Sequence, residues 1–271
     1  MAALAAISRY FSAHIDAETR HSVTVSDGET RDRIDADTYV RTHGDLFAVK
    51  YAAPWFDKGA AQWMTVGFID RDAAWRRFQP LLEEKAGGFS GLCLEADTQE
   101  DAFTKALLYR KAGNFAIQEG VAEMLAFAFL LNPSEALFFE DVQGSLAALP
   151  AKTTRALTFC TVYVECDGDF EGRVGAALTA AFGGQGFPVV REKDAAIYQC
   201  AAKVDGNGQT LEAGTFYRPV VTVSVAGKNG AVFTWGTTLA KVGASDPNVA
   251  KGRAFSALVK EIQSSLLKEK L

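Results

Sequence analysis

From Phe11 to Val25 the chain alternates. Phe11, Ala13, Ile15, Ala17, Thr19, His21, Val23 and Val25 fall on one side, and Ser12, His14, Asp16, Glu18, Arg20, Ser22 and Thr24 on the other. A period of two sustained this long predicts a half-buried strand. Ahead of it, residues 2–11 read as a short helix with Leu4, Ile7 and Phe11 on one side. Residues 46–51 and 63–69 are strand-like. The segment between them, with Trp55-Phe56 at its tip and Asp57-Lys58-Gly59 as turn chemistry, predicts a hairpin. Asp70 is placed as the N-cap of a helix carrying Trp75, Phe78 and Leu82. A kink or restart is expected at Pro80 and an end at Gly87-Gly88.

Residues 97–149 follow helical spacing, through Phe103, Ala106 and Leu107, then Ile117, Val121, Met124, Leu125 and Ala128. Pro133 opens a further piece with Leu137, Val142 and Leu146, and residues 150–154 read as a junction. Residues 157–164 are apolar on both faces, as in a central strand. Asp167-Gly168-Asp169 turns the chain into a helix carrying Phe170, Val174, Leu178 and Phe182, which stops at Gly183-Gly184. Short strands are expected at 187–190, 195–204, 216–225 and 231–238, with Asp205-Gly206-Asn207-Gly208 and Lys228-Asn229-Gly230 as loop tips. The closing helix has Ser245 or Asp246 as its cap, Pro247 in its first turn, and Phe255, Leu258, Val259, Ile262 and Leu266 on one face. The reading is an α+β fold. Two small, mainly antiparallel sheet-plus-helix domains, 1–90 and 153–271, are joined by a helical segment, 91–152.

Composition narrows the function classes. At 271 residues the chain can bury most of its unfolded surface without a disulfide or metal staple. Nineteen Phe and four Trp exclude a disordered chain. A net charge of −5 argues against nucleic acid as a partner. The longest apolar run, 121–131, contains Glu123 and falls short of the ~20 residues of a membrane span.

Candidate chemistry is sparse. The four cysteines, Cys93, Cys160, Cys166 and Cys200, form no CxxC and lie far from His14, His21 and His43, which disfavours a zinc site or a Cys–His pair. Buried thiols are the simpler reading, with Cys160 and Cys200 able to pair if their strands are neighbours. Glu165, Asp167, Asp169 and Glu171 cluster at a strand-to-helix turn. Asp167 and Asp169 are the weak metal candidates there, and helix capping is the competing role. Lys105, Arg110 and Lys111 read as a solvated basic face. There is no Walker motif, nucleophile elbow or HExxH, so no catalytic residue and no cofactor is assigned. Trp55 and Phe56 are the candidate partner-binding residues, with a lid over the first domain's core as the alternative.

Three stretches carry a resemblance. They are the helix running into the alternating strand, 2–25; Asp45-Leu46-Phe47-Ala48-Val49-Lys50; and Gln62-Trp63-Met64-Thr65-Val66-Gly67-Phe68-Ile69-Asp70-Arg71-Asp72-Ala73-Ala74. Residues 2–90 resemble the domain shared by the twenty-kilodalton bacterial lipoprotein family and the amino-terminal domain of flagellar assembly protein T. By element order alone, residues 155–271 resemble the repeated modules of the latter and the amino-terminal domain of TolB.

The resemblance implies a non-enzymatic protein of the periplasm or outer membrane that binds envelope or assembly proteins. Membrane association would come only through a lipid anchor. The first cysteine, Cys93, is too late to carry that anchor, so a leader and anchor cysteine are expected to precede Met1. A small-molecule module with a pocket between the helical segment and a sheet domain is the alternative. A metal-dependent hydrolase using the carboxylate cluster is a second.

Overall fold

The computed structural model describes residues 49–212 and 214–267. The helix expected at 2–11, the strand at 11–25 and all three histidines lie outside the described residues. Contacts divide the chain into two compact units, Met1–Leu94 with Ala112–Pro150, and Glu95–Lys111 with Ala151–Leu271. The helical middle thus contributes to both.

Among the described residues, the first unit begins with four short strands, β1 (Val49–Tyr51), β2 (Trp55–Asp57), β3 (Gln62–Met64) and β4 (Gly67–Ile69). β1 pairs antiparallel with β4, and β2 with β3. Trp55 and Phe56 therefore lie in a strand just before the turn rather than at its tip. Asp70 caps α1 (Arg71–Thr98), accepting from Ala73 N at 3.1 Å, as its position after the strand led one to expect.

That helix does not stop at Gly87-Gly88. Trp75, Phe78, Leu82, Ala86, Phe89, Cys93 and Ala96 are all buried, spaced three and four apart. One continuous apolar stripe outweighs the ~1 kcal/mol cost of each internal glycine. Pro80 also stays within the helix, on its exposed side. The helices that follow are α2 (Ala102–Gln118), α3 (Val121–Leu131), the short α4 (Pro133–Ala136), a 3-10 turn and α5 (Glu140–Thr158). α5 runs through Pro150 and the expected junction, which displaces the first central strand to 162–167.

Within the first unit, the Phe78 and Phe127 rings meet edge-on at 5.0 Å, and Trp75 Nε1 donates to Glu135 Oε2 at 2.8 Å. Seven residues of α3 are buried, so its apolar surface is consumed in the core. Among the described residues no single helix is long and apolar enough to cross a membrane.

The second unit is built on one sheet. Its strands are β5 (Val162–Asp167), β6 (Val189–Val190), β7 (Tyr198–Leu211), β8 (Gly214–Gly227), β9 (Gly230–Thr238) and β10 (Val242–Ala244), with α6 (Arg173–Gly184) and α7 (Pro247–Ser265). The order is β10-β8-β7-β5-β6, with β9 also on β8. β5 runs parallel to β6 and β7, and the other pairings are antiparallel.

The expected loop tip at Asp205-Gly206-Asn207-Gly208 is instead strand, paired through Gly208↔Tyr217. A Cβ on Gly208 would lie 2.8 Å from the Tyr217 ring, so here glycine makes room for a cross-strand aromatic. Gly168 turns the chain at φ +73, where a Cβ would meet the Val204 carbonyl at 2.3 Å. Asp246 caps α7, accepting from Asn248 N and Val249 N at 2.7 and 3.1 Å.

One face of the sheet is apolar. Cys200, Ala202, Val204, Val221, Val223, Val225, Phe233 and Trp235 are buried. The start of α2 joins this core. Phe103 stacks on Phe187 at 4.7 Å and lies 5.4 Å from Tyr198 and 6.2 Å from Phe233. Beside it, Tyr198 Oη donates to Asp101 Oδ2 at 2.7 Å and accepts from Phe103 N at 3.2 Å.

Phe103→Ala is expected to cost about 3–5 kcal/mol through the cavity it leaves. Tyr198→Phe should cost about 1–3 kcal/mol by stripping Asp101 and the Phe103 amide of a partner. Phe138→Ala, at a ring 84% exposed, should change stability by no more than about 0.5 kcal/mol. Urea midpoints test the order, and a Phe103→Ala protein as stable as its parent would contradict the placement.

Candidate functional site

The hairpin of the first unit gathers exposed aromatic side chains. Its register sets Trp55 opposite Met64 and Phe56 opposite Trp63. Phe56 and Trp63 make an edge-on pair, their rings 5.6 Å apart, a cross-strand contact that orients both on one face. Trp63 is nonetheless 71% exposed, Phe56 47% and Trp55 44%, and Tyr51, Val66 and Phe68 are exposed as well. An exposed aromatic group of this size is unusual on a folded surface, where large apolar patches mark interaction sites.

The element is held firmly from both ends. At the turn, Asp57 Oδ1 accepts from Gly59 N at 2.8 Å and Ala60 N at 3.2 Å, the side chain supplying the turn's acceptor. Ala61 completes it at φ +51, a left-handed conformation that costs a non-glycine residue of order 1 kcal/mol. Midway, Ala52 N donates to Val66 O and Thr65 Oγ1 to Ala52 O, both at 2.9 Å. At the root, Lys50 Nζ lies 2.6 Å from Asp70 Oδ2. This contact and the Ala73 amide hold the Asp70 carboxyl below its ordinary value. The α1 cap thus also anchors β1.

The carboxylate cluster does not converge. Both oxygens of Asp169 are occupied by the first turn of α6, from Val174 N at 3.0 Å and Gly175 N at 2.9 Å. Glu171 pairs with Arg173 at 2.5 Å and Glu165 with Lys193 at 3.3 Å. Asp167 stands exposed at the end of β5, opposite Lys203. Among the described residues no three His, Cys, Asp or Glu side chains are grouped as metal ligands.

None of the four cysteines forms a disulfide. Cys200 opposes Val164, four residues beyond Cys160, so the two do not pair. Burial pushes the Cys160, Cys166 and Cys200 thiols up to about 12, which leaves them protonated and poor nucleophiles at neutral pH. Arg110 departs from the expected solvated face. It is half-buried and desolvation lowers its pKa. Its Nη1 donates to Gln185 Oε1 beside the C-terminal end of α6, where a cation complements the helix dipole.

The other face of the second unit's sheet is open. Glu165, Asp167, Lys203, Thr222, Ser224 and Thr234 line a shallow concavity of about 860 Å³ there. Two of its charges are paired with neighbours, Glu165 with Lys193 and Lys203 with Asp205, both at 3.3 Å. The hairpin is the stronger candidate. Trp63, which supplies its most exposed ring, escaped the sequence reading because it falls within a strand. The signal was its register opposite Phe56.

No protein-family model matches the chain, and no curated protein matches it. Among solved structures, the fold is similar to a minor lipoprotein from Acinetobacter baumannii (16% identity, TM-score 0.31, covering 42% of this chain and 97% of that one). It is also similar to a Xanthomonas campestris protein of the DUF330 family (13% identity, TM-score 0.32, 42% and 83%) and to lipoprotein B from Nitrosomonas europaea (15% identity, TM-score 0.26, 41% and 79%). Two of these three are named as lipoproteins, and none of the three is named as a flagellar assembly protein or TolB. A likeness of this size carries no inference about activity or partner.

Proposed function

We propose that this chain is a non-catalytic binding protein of the bacterial cell envelope that docks a protein partner through the aromatic hairpin. The observation that supports docking is the exposure of Trp55, Phe56 and Trp63 on an element fixed at its turn and its root. Rigid Trp and Phe rings supply large contact area at small cost in side-chain entropy, and Trp is enriched among the residues that carry binding energy. The envelope setting rests on the sequence resemblance of residues 2–90 to the lipoprotein domain, and a lipid anchor would be its means of membrane association.

Each half of the proposal has its own test. A photo-crosslinking residue at position 63 in cells is expected to trap one discrete protein adduct, lost when Trp55 and Phe56 are changed to Ala. The double variant's melting temperature should fall by no more than about 2 °C. A drop of many degrees would make these rings core residues, and no adduct at all would remove the docking role. The product of the native gene should incorporate palmitate, sensitive to a lipoprotein signal-peptidase inhibitor. Unlabelled protein in the cytoplasmic fraction would overturn the envelope setting.

A further inference from the structure

A second surface lies in the other unit, between the start of α6 and the outer face of α7. Arg173, Val249, Gly252, Arg253, Ser256 and Lys260 line a groove of about 430 Å³, within the range of small-ligand sites, roughly 300–1,000 Å³. On α7, Ala250, Ala254, Phe255, Leu258 and Ile262 are buried. Val249, Arg253, Ser256 and Lys260 recur four, three and four residues apart and so share a different, outward face. Arg173 reaches this face from α6. Its Nη2 is held by Glu171 at 2.5 Å, and its Nη1 lies 3.4 Å from Ser256 Oγ. Ser256 in turn donates to Gly252 O at 2.9 Å.

The charge balance of the groove is uneven. No carboxylate lines it. Arg173 is compensated by Glu171. Arg253 makes only a long contact to Gly243 O, 3.4 Å, and neither Arg253 nor Lys260 has a carboxylate partner among the described residues. The neighbouring Glu261 accepts from Ser265 instead. The other cation nearby, Lys251, lies over the Phe170 ring at 4.8 Å and the Phe255 ring at 5.9 Å rather than in the groove. Two unpaired cations and a third held by an ion pair thus converge on one cavity, in a chain whose net charge is −5. The floor is open at Gly252, where a Cβ would meet nothing within 4 Å.

We propose that this groove binds a phosphate-bearing ligand, with Arg173, Arg253 and Lys260 as its donors. Guanidinium forks match phosphate oxygens in geometry, and an ammonium adds a point charge. A phosphomonoester, carrying roughly −1.5 to −2 at neutral pH, offsets the two unpaired cations, which a carboxylate would only half satisfy.

The full chain is titrated with glycerol 3-phosphate by calorimetry, and sedimented with phosphatidylcholine vesicles containing phosphatidic acid. Saturable binding of glycerol 3-phosphate supports a soluble phosphate ester as the ligand. Binding to the doped vesicles alone supports a lipid headgroup. Arg253→Gln with Lys260→Gln is expected to weaken whichever binding occurs by about tenfold or more. Gly252→Leu, which fills the floor without changing charge and favours the helix, should do the same. Lys251→Gln, which removes a charge outside the groove, should change it by less than about twofold. Binding of neither probe overturns the proposal. So does an equal loss in Lys251→Gln, or none in Gly252→Leu, because each would mean diffuse attraction rather than a site.

Discussion

Phe103 and Asp101 determine how this chain is partitioned. The Phe103 ring lies among Phe182, Phe187, Tyr198 and Phe233, residues between 79 and 130 positions later in the sequence. Asp101 holds the start of α2 through Thr104 N at 2.8 Å and the Tyr198 hydroxyl at 2.7 Å. Burial raises the Tyr198 pKa, and Asp101 adds to that shift, so the phenol remains a donor under any ordinary condition. A large ring and a carboxylate committed in this way bind 95–111 to the sheet. The adjoining segment 112–150 packs with the first unit. Neither unit is a contiguous stretch of chain, and both depend on helices that supply residues to each.

This explains which parts of the fold could be read from sequence. Local signals with one dominant cause were legible: Asp70 as a cap, a cap at Ser245 or Asp246, the turn at Gly168, the C-terminal stripe of Phe255, Leu258 and Ile262, and the α+β character itself. Signals that depend on a distant partner were not. Gly87-Gly88 has the local chemistry of a helix stop, but Phe89, Cys93 and Ala96 are buried and carry the helix on. Asp205-Gly206-Asn207-Gly208 has the chemistry of a turn, yet β8 supplies a paired residue for each position. In the first case burial, worth roughly 1.5–3 kcal/mol per apolar side chain, exceeds the local preference; in the second the ladder with β8 does.

The candidate sites were legible in the same uneven way. Trp55 and Phe56 stood out because two large aromatics beside Asp-Lys-Gly read as a hairpin tip, where such rings are unusual if exposed. Trp63 did not, because period-two reasoning assigns a strand residue to one face without saying whether that face is covered. The basic groove left no linear trace. Arg173 and Arg253 are eighty residues apart, and only the packing of α6 against α7 brings them together. The carboxylates at 165–171 gave the opposite lesson. Close in sequence, they were dispersed by the fold into one helix cap, two ion pairs and the exposed Asp167, because the turn into α6 carries Asp169 and Glu171 away from the strand face that Glu165 and Asp167 share.

The two surfaces differ in what maintains them. The hairpin is stabilised by its own turn and backbone pairing and by an exposed ion pair at its root, an interaction worth little by itself in water. Its apolar rings contribute little to folding while they remain in solvent. The groove depends on the packed interface of α6 and α7, and its unpaired cations repel one another in the free protein. In both places the chain carries a local cost that its own fold does not recover: exposed apolar area in one, uncompensated charge in the other. That shared property is the physical basis of both proposals.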